Sequence, residues 1–181
     1  MLRVVDITNS NVNHEELKQM YDTAFPGEDQ MLPYDQIIHI GEFIDADLEA
    51  YYDKDMLVGL SMIFRFPKYN YGSYFTVKEE LRGKGYGKKI LDILINKYSK
   101  DRPFIIAAQS PFQKDAPNTE IRKWRYSFYL RSGFRDTGVT GTDISGTYVF
   151  MSTSDEPFTK KDCDEFAELI IATCEKCQVR K

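Results

Sequence analysis

The chain is poor in the residues that build specialised frameworks. Three cysteines, Cys163, Cys174 and Cys177, stand among 181 residues, all near one end. An odd number so placed fits free thiols in a reducing compartment rather than a disulfide scaffold. Only two histidines occur, His14 and His39, both distant in sequence from the cysteines. Zinc takes four ligands, so the CxxC formed by Cys174 and Cys177 does not point to a metal. Long apolar runs are missing as well. The best stretch, residues 56–64, is interrupted by Gly59 and Ser61, whereas a membrane-spanning helix takes about 20 apolar residues. The opening residues, MLRVVDITNS, lack the apolar core of an export signal. Membrane insertion and export are therefore not expected, and the cytoplasm is the default.

What is present is ordinary globular composition, 42% hydrophobic and 29% charged, which excludes a disordered or collagen-like chain. The length fits one domain spanning residues 1–181. Net charge is only −4, but it is unevenly spread. Residues 1–60 hold 13 acids and 3 bases, residues 61–135 hold 6 acids and 16 bases, and residues 136–181 hold 9 acids and 5 bases. The middle of the chain is suited to meeting an anion.

Periodicity predicts a strand at residues 3–7 and a helix at 14–25 with Leu17, Met20, Tyr21 and Ala24 on one face. A second helix is expected over residues 33–43, with His39 packed on it. Strands follow at residues 48–52, 56–66 and 72–77, joined by tight turns. Residues 87–98 read as a strongly amphipathic helix, and residues 103–108 (PFIIAA) as a strand covered on both faces. A helix is expected over 118–132, with Ile121, Trp124 and Phe128 facing inward and Gly133 ending it. Strands at 134–139 and 146–152 and a helix at 159–174 complete the chain. The order is β-α-α-β-β-β-α-β-α-β-β-α. The helix between the strands near 75 and 105 implies one parallel pair in an otherwise antiparallel sheet.

The most informative segment is Arg82-Gly83-Lys84-Gly85-Tyr86-Gly87-Lys88-Lys89. Alternate glycines between a strand and a helix let the backbone approach a ligand closely. The helix start then offers unpaired N–H groups, which suit phosphate. Four cations with no acid between them reinforce this. The P-loop pattern GxxxxGK[ST] does not fit, because Lys88 is followed by Lys89. The dinucleotide and kinase loops both need GxGxxG, and the spacing here is GxGxG.

Arg82 to Gly87 resembles the diphosphate loop [Q/R]xxGx[G/A] of the GNAT superfamily, the acyl-CoA-dependent N-acetyltransferases. Downstream, Phe128-Tyr129-Leu130-Arg131-Ser132-Gly133-Phe134 is similar to that family's FYxxxGF pattern. The resemblance covers residues 48–151. It implies a mixed α/β (α+β) fold, mostly antiparallel, of six or seven strands with helices on both faces. It also implies direct acetyl transfer from acetyl-CoA to a primary amine within a ternary complex. Phe75, Thr76 and Val77 would form the strand edge that pairs with pantetheine. Arg82, Gly83, Lys84, Gly85, Tyr86, Gly87 and Lys88 would hold the diphosphate, with Lys84, Lys88 or Lys89 reaching the 3′-phosphate. Tyr129 would protonate the departing thiolate. Many family members carry Asn seven residues before this tyrosine; here that residue is Arg122, and Asn118 in the preceding loop would be its substitute.

The base is left open among Glu28, Asp29, Asp47, Glu49 and water. The acidic first third points to a cationic acceptor, a small-molecule or peptide amine. A non-catalytic acyl-CoA sensor and a protein acetyltransferase are the competing readings. A homodimer is compatible with all of them. The Arg122-Lys123-Trp124-Arg125 cluster is read as a solvated face with one core anchor, and nucleic acid is not expected as a partner.

Overall fold

The computed structural model describes residues 1–8, 11–114, 116, 118–143 and 146–179, and of Glu28 the backbone only. Seven strands form one sheet in the order β1-β2-β3-β4-β5-β7-β6. They are β1 (Arg3–Asp6), β2 (Ala46–Asp53), β3 (Met56–Arg65), β4 (Asn70–Val77), β5 (Phe104–Gln109), β6 (Arg135–Asp143) and β7 (Gly146–Ser152). Every pairing is antiparallel except β4 with β5. The order of elements matches the sequence reading.

The helices divide between the two faces. On one, α1 (His14–Ala24), α2 (Tyr34–Ile37) and α5 (Lys160–Val179) cover a core that includes Leu17, Tyr21, Ile37, Phe64 and Phe158. On the other, α3 (Tyr86–Tyr98) and α4 (Thr119–Arg131) cover Val58, Ile63, Ile90, Leu94, Phe104 and Ile106. β3 is sandwiched between them, with Leu57 through Phe64 all buried, which explains its almost continuous apolar sequence. Gly59 lets α3 press on the sheet. A Cβ there would lie 2.6 Å from both the Thr76 carbonyl oxygen and Ile90 Cδ1.

Local chemistry sets the helix starts. Asn13 Oδ1 accepts the Glu16 N–H at 3.2 Å and caps α1. At α5, Asp162 Oδ2 accepts the Thr159 N–H at 2.9 Å while Thr159 Oγ1 accepts the Asp162 N–H at 3.2 Å, a reciprocal box that satisfies two orphan donors.

Four expectations change. The helix over 33–43 reduces to α2 and a 3₁₀ turn at Ile40–Glu42. Its bonds tighten at His39, whose N–H reaches Gln36 O, and Gly41 follows. His39 is not packed; its side chain is 61% exposed and meets Glu42 at 3.2 Å. α5 runs on to Val179, so Cys174 and Cys177 lie within it rather than at its end. On α4 the inward residues are Arg122 and Tyr129, whereas Ile121 and Trp124 are 54% and 61% exposed. The supposed core anchor is therefore the solvated residue, and Phe128 alone of the expected stripe packs against the core.

Candidate active site

β4 and β5 pair at only three positions: Asn70 with Phe104, Tyr71 with Ile105 and Gly72 with Ile106. Beyond them the strands part. The ladder between β3 and β4 slips between Met62 and Ile63, leaving Ser73 as an extra residue on β4 and bending the strand. β5 continues on β7 alone, from Ile105 with Ser152 to Gln109 with Tyr148. The β4 edge from Ser73 to Val77 is thus open on the side where β5 would lie. The Lys78 N–H bonds to Val58 O at 2.9 Å. By the alternation of an antiparallel ladder, Thr76 then spends its peptide groups on β3, while Phe75 and Val77 direct theirs into the gap. Of the three residues expected at this edge, Phe75 and Val77 turn their backbone away from β3. Val77 O also meets Arg82 Nε at 3.3 Å, which holds that guanidinium at the mouth of the gap.

A turn at Glu79–Leu81, pinned by buried Leu81, leads to the glycine loop. Gly83 and Gly85 adopt φ of 75° and 84°, with open space where a Cβ would stand. Their requirement is conformational: an L-residue is strained at such angles. Gly85 is also the N-cap of α3 and carries no side chain to satisfy the helix start. The first intrahelical bond there is made by the Lys89 N–H to Gly85 O. The N–H groups of Tyr86, Gly87 and Lys88 therefore have no backbone partner among the described residues. This is a cradle of bare donors at the positive end of a helix dipole.

The side chains around it are unequally available. Tyr86 donates its hydroxyl to Asp53 Oδ2 at 2.7 Å, which ties the start of α3 to the β2–β3 turn; only its peptide N–H is left for a ligand. Lys89 sits 5.1 Å above the Tyr86 ring. Lys88 pairs with Asp92. Lys84 is exposed.

Tyr129 lies on the face of the sheet that α3 covers. Its ring packs against Phe134 at 5.7 Å and Phe128 at 5.5 Å. Phe128 in turn reaches the loop, its Cζ 3.8 Å from where a Gly87 Cβ would stand. One ring therefore links the phenol to the cradle. The Tyr129 hydroxyl makes no hydrogen bond among the described residues. Burial pushes its pKa up, and Arg125 opposes this only in part.

The other expected residues separate. Asn118 caps α4 in a left-handed conformation, φ 59°, and its side chain makes no capping bond. Arg122, where the family pattern has Asn, is buried. It donates from Nη1 to Gln113 Oε1 at 2.9 Å, and the same oxygen accepts the Thr147 N–H at 3.1 Å. It braces α4 against the start of β7. Asp47 and Glu49 are at the opposite end of α3, bonded to Lys97 at 3.1 and 2.6 Å. They belong to the scaffold and not to the open site. The Glu28 side chain lies outside the described residues. Asp29 rides on β4 from the other face: Tyr74 donates to its backbone oxygen at 3.2 Å and also accepts the Met31 N–H.

Parted parallel strands, a helix start without a side-chain cap and, among the described residues, a phenol without a hydrogen bond mark this face of the sheet as the candidate site. The acetyltransferase (GNAT) family model matches residues 14–134, and the chain belongs to that family. Among solved structures, a protein of Bacteroides thetaiotaomicron assigned to the GNAT family superposes with a TM-score of 0.66 at 22% identity, covering 92% of this chain and 93% of that one. An aminoglycoside 6′-N-acetyltransferase complexed with coenzyme A gives 0.65 at 14% identity, covering 88% and 99%. A Bacillus subtilis acetyltransferase in complex with CoA gives 0.58 at 19% identity, covering 84% and 97%. At these identities the likeness is one of fold. No curated protein sequence matches the chain. Among the described residues no helix is long and apolar enough to cross a membrane.

Proposed function

We propose that this protein transfers the acetyl group of acetyl-CoA directly to a small cationic amine. The observation that supports the reading is that Phe128 packs on the Tyr129 ring at 5.5 Å and comes within 3.8 Å of where a Gly87 Cβ would stand, linking a phenol with no hydrogen bond among the described residues to the uncapped start of α3. Two structurally similar acetyltransferases are described as complexes with CoA, which fits the same donor here.

In this reading the N–H groups of Tyr86, Gly87 and Lys88 hold the diphosphate, with Gly83 and Gly85 shaping the turn. Phe75 and Val77 pair with the pantetheine amides, and a peptide N–H at this edge polarises the thioester carbonyl. Arg82 and Lys84 face the phosphates, and Asn118 borders the cofactor from the start of α4. The neutral amine attacks the carbonyl carbon; the C–N bond forms and the C–S bond breaks. Tyr129 gives its proton to the departing sulfur, water takes the proton that the amine nitrogen loses as the amide forms, and solvent returns a proton to Tyr129. A thiol of pKa about 8.5 needs a donor that is still protonated at working pH, and a buried phenol is one.

The acceptor enters from the α1–α2 face. There Tyr74 pulls the 29–31 segment onto β4, and Leu32, Tyr34, Ile37 and Ile40 close over the sheet. A roof packed this tightly favours a small amine over a protein. The acidic first third of the chain favours a cation. Three free cysteines fit a cytoplasmic setting.

The test is thioester consumption with spermidine and, in parallel, with glutamate. Spermidine is expected to be the better substrate, and preference for glutamate overturns the cationic acceptor. Tyr129→Phe should lower turnover by about a hundredfold while leaving CoA binding intact. Because burial raises the phenol above its ordinary value near 10, the wild-type rate should climb with pH as the amine deprotonates. It should not turn down before about pH 10. A sensor without catalysis would show binding and no turnover.

A further inference from the structure

The single tryptophan of the chain is displayed on α4 rather than packed. Trp124 is 61% exposed, yet it is held flat against Phe128, with centroids 5.4 Å apart and planes within 6°. Phe128 is the ring that touches the third glycine of the cradle, and Ile121, one turn earlier, is exposed beside Trp124. A large aromatic plane is thus fixed in orientation next to a diphosphate site with one face left to water. Trp124 and Ile121 together form an apolar patch beside the loop, the kind of surface that marks a ligand site where it adjoins a binding cradle. A purine is the flat group that a nucleoside diphosphate carries, and it hangs from the 5′-phosphate by one ribose. The cations at 82, 84, 88 and 89 supply the charge such a ligand requires.

We propose that Trp124, backed by Phe128, is the stacking platform for the adenine of coenzyme A. It therefore sets the preference for the full nucleotide over phosphopantetheine. This rests on the acyl-CoA reading above. Trp124 acts in affinity and has no part in the chemistry.

The experiment is calorimetric titration of the intact protein with coenzyme A and with 4′-phosphopantetheine, which has the same arm and one phosphate but no base. In the wild type, coenzyme A binds more tightly. In Trp124→Ala the ratio of the two affinities should shrink by about tenfold, and in Trp124→Phe most of it should return. As the lone indole, Trp124 also reports directly. Coenzyme A should quench its emission saturably, and 4′-phosphopantetheine should do so much less. An unchanged affinity ratio, or equal quenching by both ligands, overturns the platform while leaving the acyl-CoA reading in place. No binding of coenzyme A at all overturns both. Self-association that is lost in Trp124→Ala with coenzyme A affinity kept assigns the surface to a second copy of the chain and also overturns it.

Discussion

The two ends of α3 are built on opposite principles. At its C-terminal end, Lys97 meets Asp47 and Glu49, Tyr98 donates to Asp47 at 2.6 Å, and Tyr51 donates to Glu49 at 2.8 Å while sharing a 2.9 Å bond with Ser61. Each of these charges is answered. Burial pushes the Asp47 carboxyl up, but Tyr98 and Lys97 outweigh it and hold its pKa below the ordinary value. Burial likewise pushes Lys97 down, and Glu49 and Asp47 more than offset it. At its N-terminal end the same helix has a glycine cap with no side-chain bond, glycines at positive φ and backbone donors facing outward. Polar groups that are fully paired make a scaffold. Donors left unpaired at the surface of a rigid element are available to a ligand.

The sharpest test of this division is at the paired end. Lys97→Met leaves Glu49, whose side chain is 9% exposed, with only a phenol to answer its charge. The expected cost is about 2 kcal/mol, below that of a fully buried pair because Lys97 itself is 46% exposed. Thermal denaturation should fall by about 6 °C, and coenzyme A affinity should stay the same. Adding Glu49→Gln should recover most of the loss. A variant that melts normally but binds coenzyme A poorly would erase the distinction between the two ends.

The open end should answer in reverse. Gly85→Ala places an L-residue at φ 84° with open space around its Cβ, so the strain is about 1 kcal/mol and the melting shift about 3 °C. Relieving that strain turns the donors away from their common focus. Affinity for coenzyme A should weaken by about tenfold, equivalent to one charge-assisted hydrogen bond. A melting loss without an affinity loss would show that the glycine serves only the turn.

The sequence showed the open end more clearly than the paired one, for physical reasons. Positive φ demands glycine, so Gly83 and Gly85 are visible as letters. Partnership between Lys97 and Glu49 crosses 48 residues and leaves no local trace. The same limit made Asp47 and Glu49 candidate bases. Element order was legible because each break carries Gly, Pro or a polar turn. The apolar stripe at 121, 124 and 128 suggests a rotation of α4 that the structure does not have, although the motif itself holds the correction. A heptad drifts by only about 20° around a helix, so turning Tyr129 inward also turns Arg122 inward. Trp124, five residues from Tyr129, then points about 140° away. Arg122 tolerates burial because its long stem packs and its head finds Gln113. The Tyr86 bond to Asp53 had no sequence signal beyond the turn it comes from.

The smallest expected effect separates two kinds of ion pair on this one helix. Lys88 and Asp92 are about equally exposed, at 49% and 48%, one turn apart. Such a pair contributes at most about 0.5 kcal/mol, so Asp92→Asn should leave thermal stability nearly unchanged. It also releases Lys88, the cation nearest the bare amides in sequence, from a competing anion. If Lys88 reaches a phosphate of the ligand, coenzyme A should bind about twofold more tightly and with a steeper dependence on salt, because one more unscreened charge is available. Tighter binding without a stability change would show that even the side chains at the open end are held only loosely. Unchanged affinity would mean that Lys88 plays no part and that the cradle works through its backbone alone.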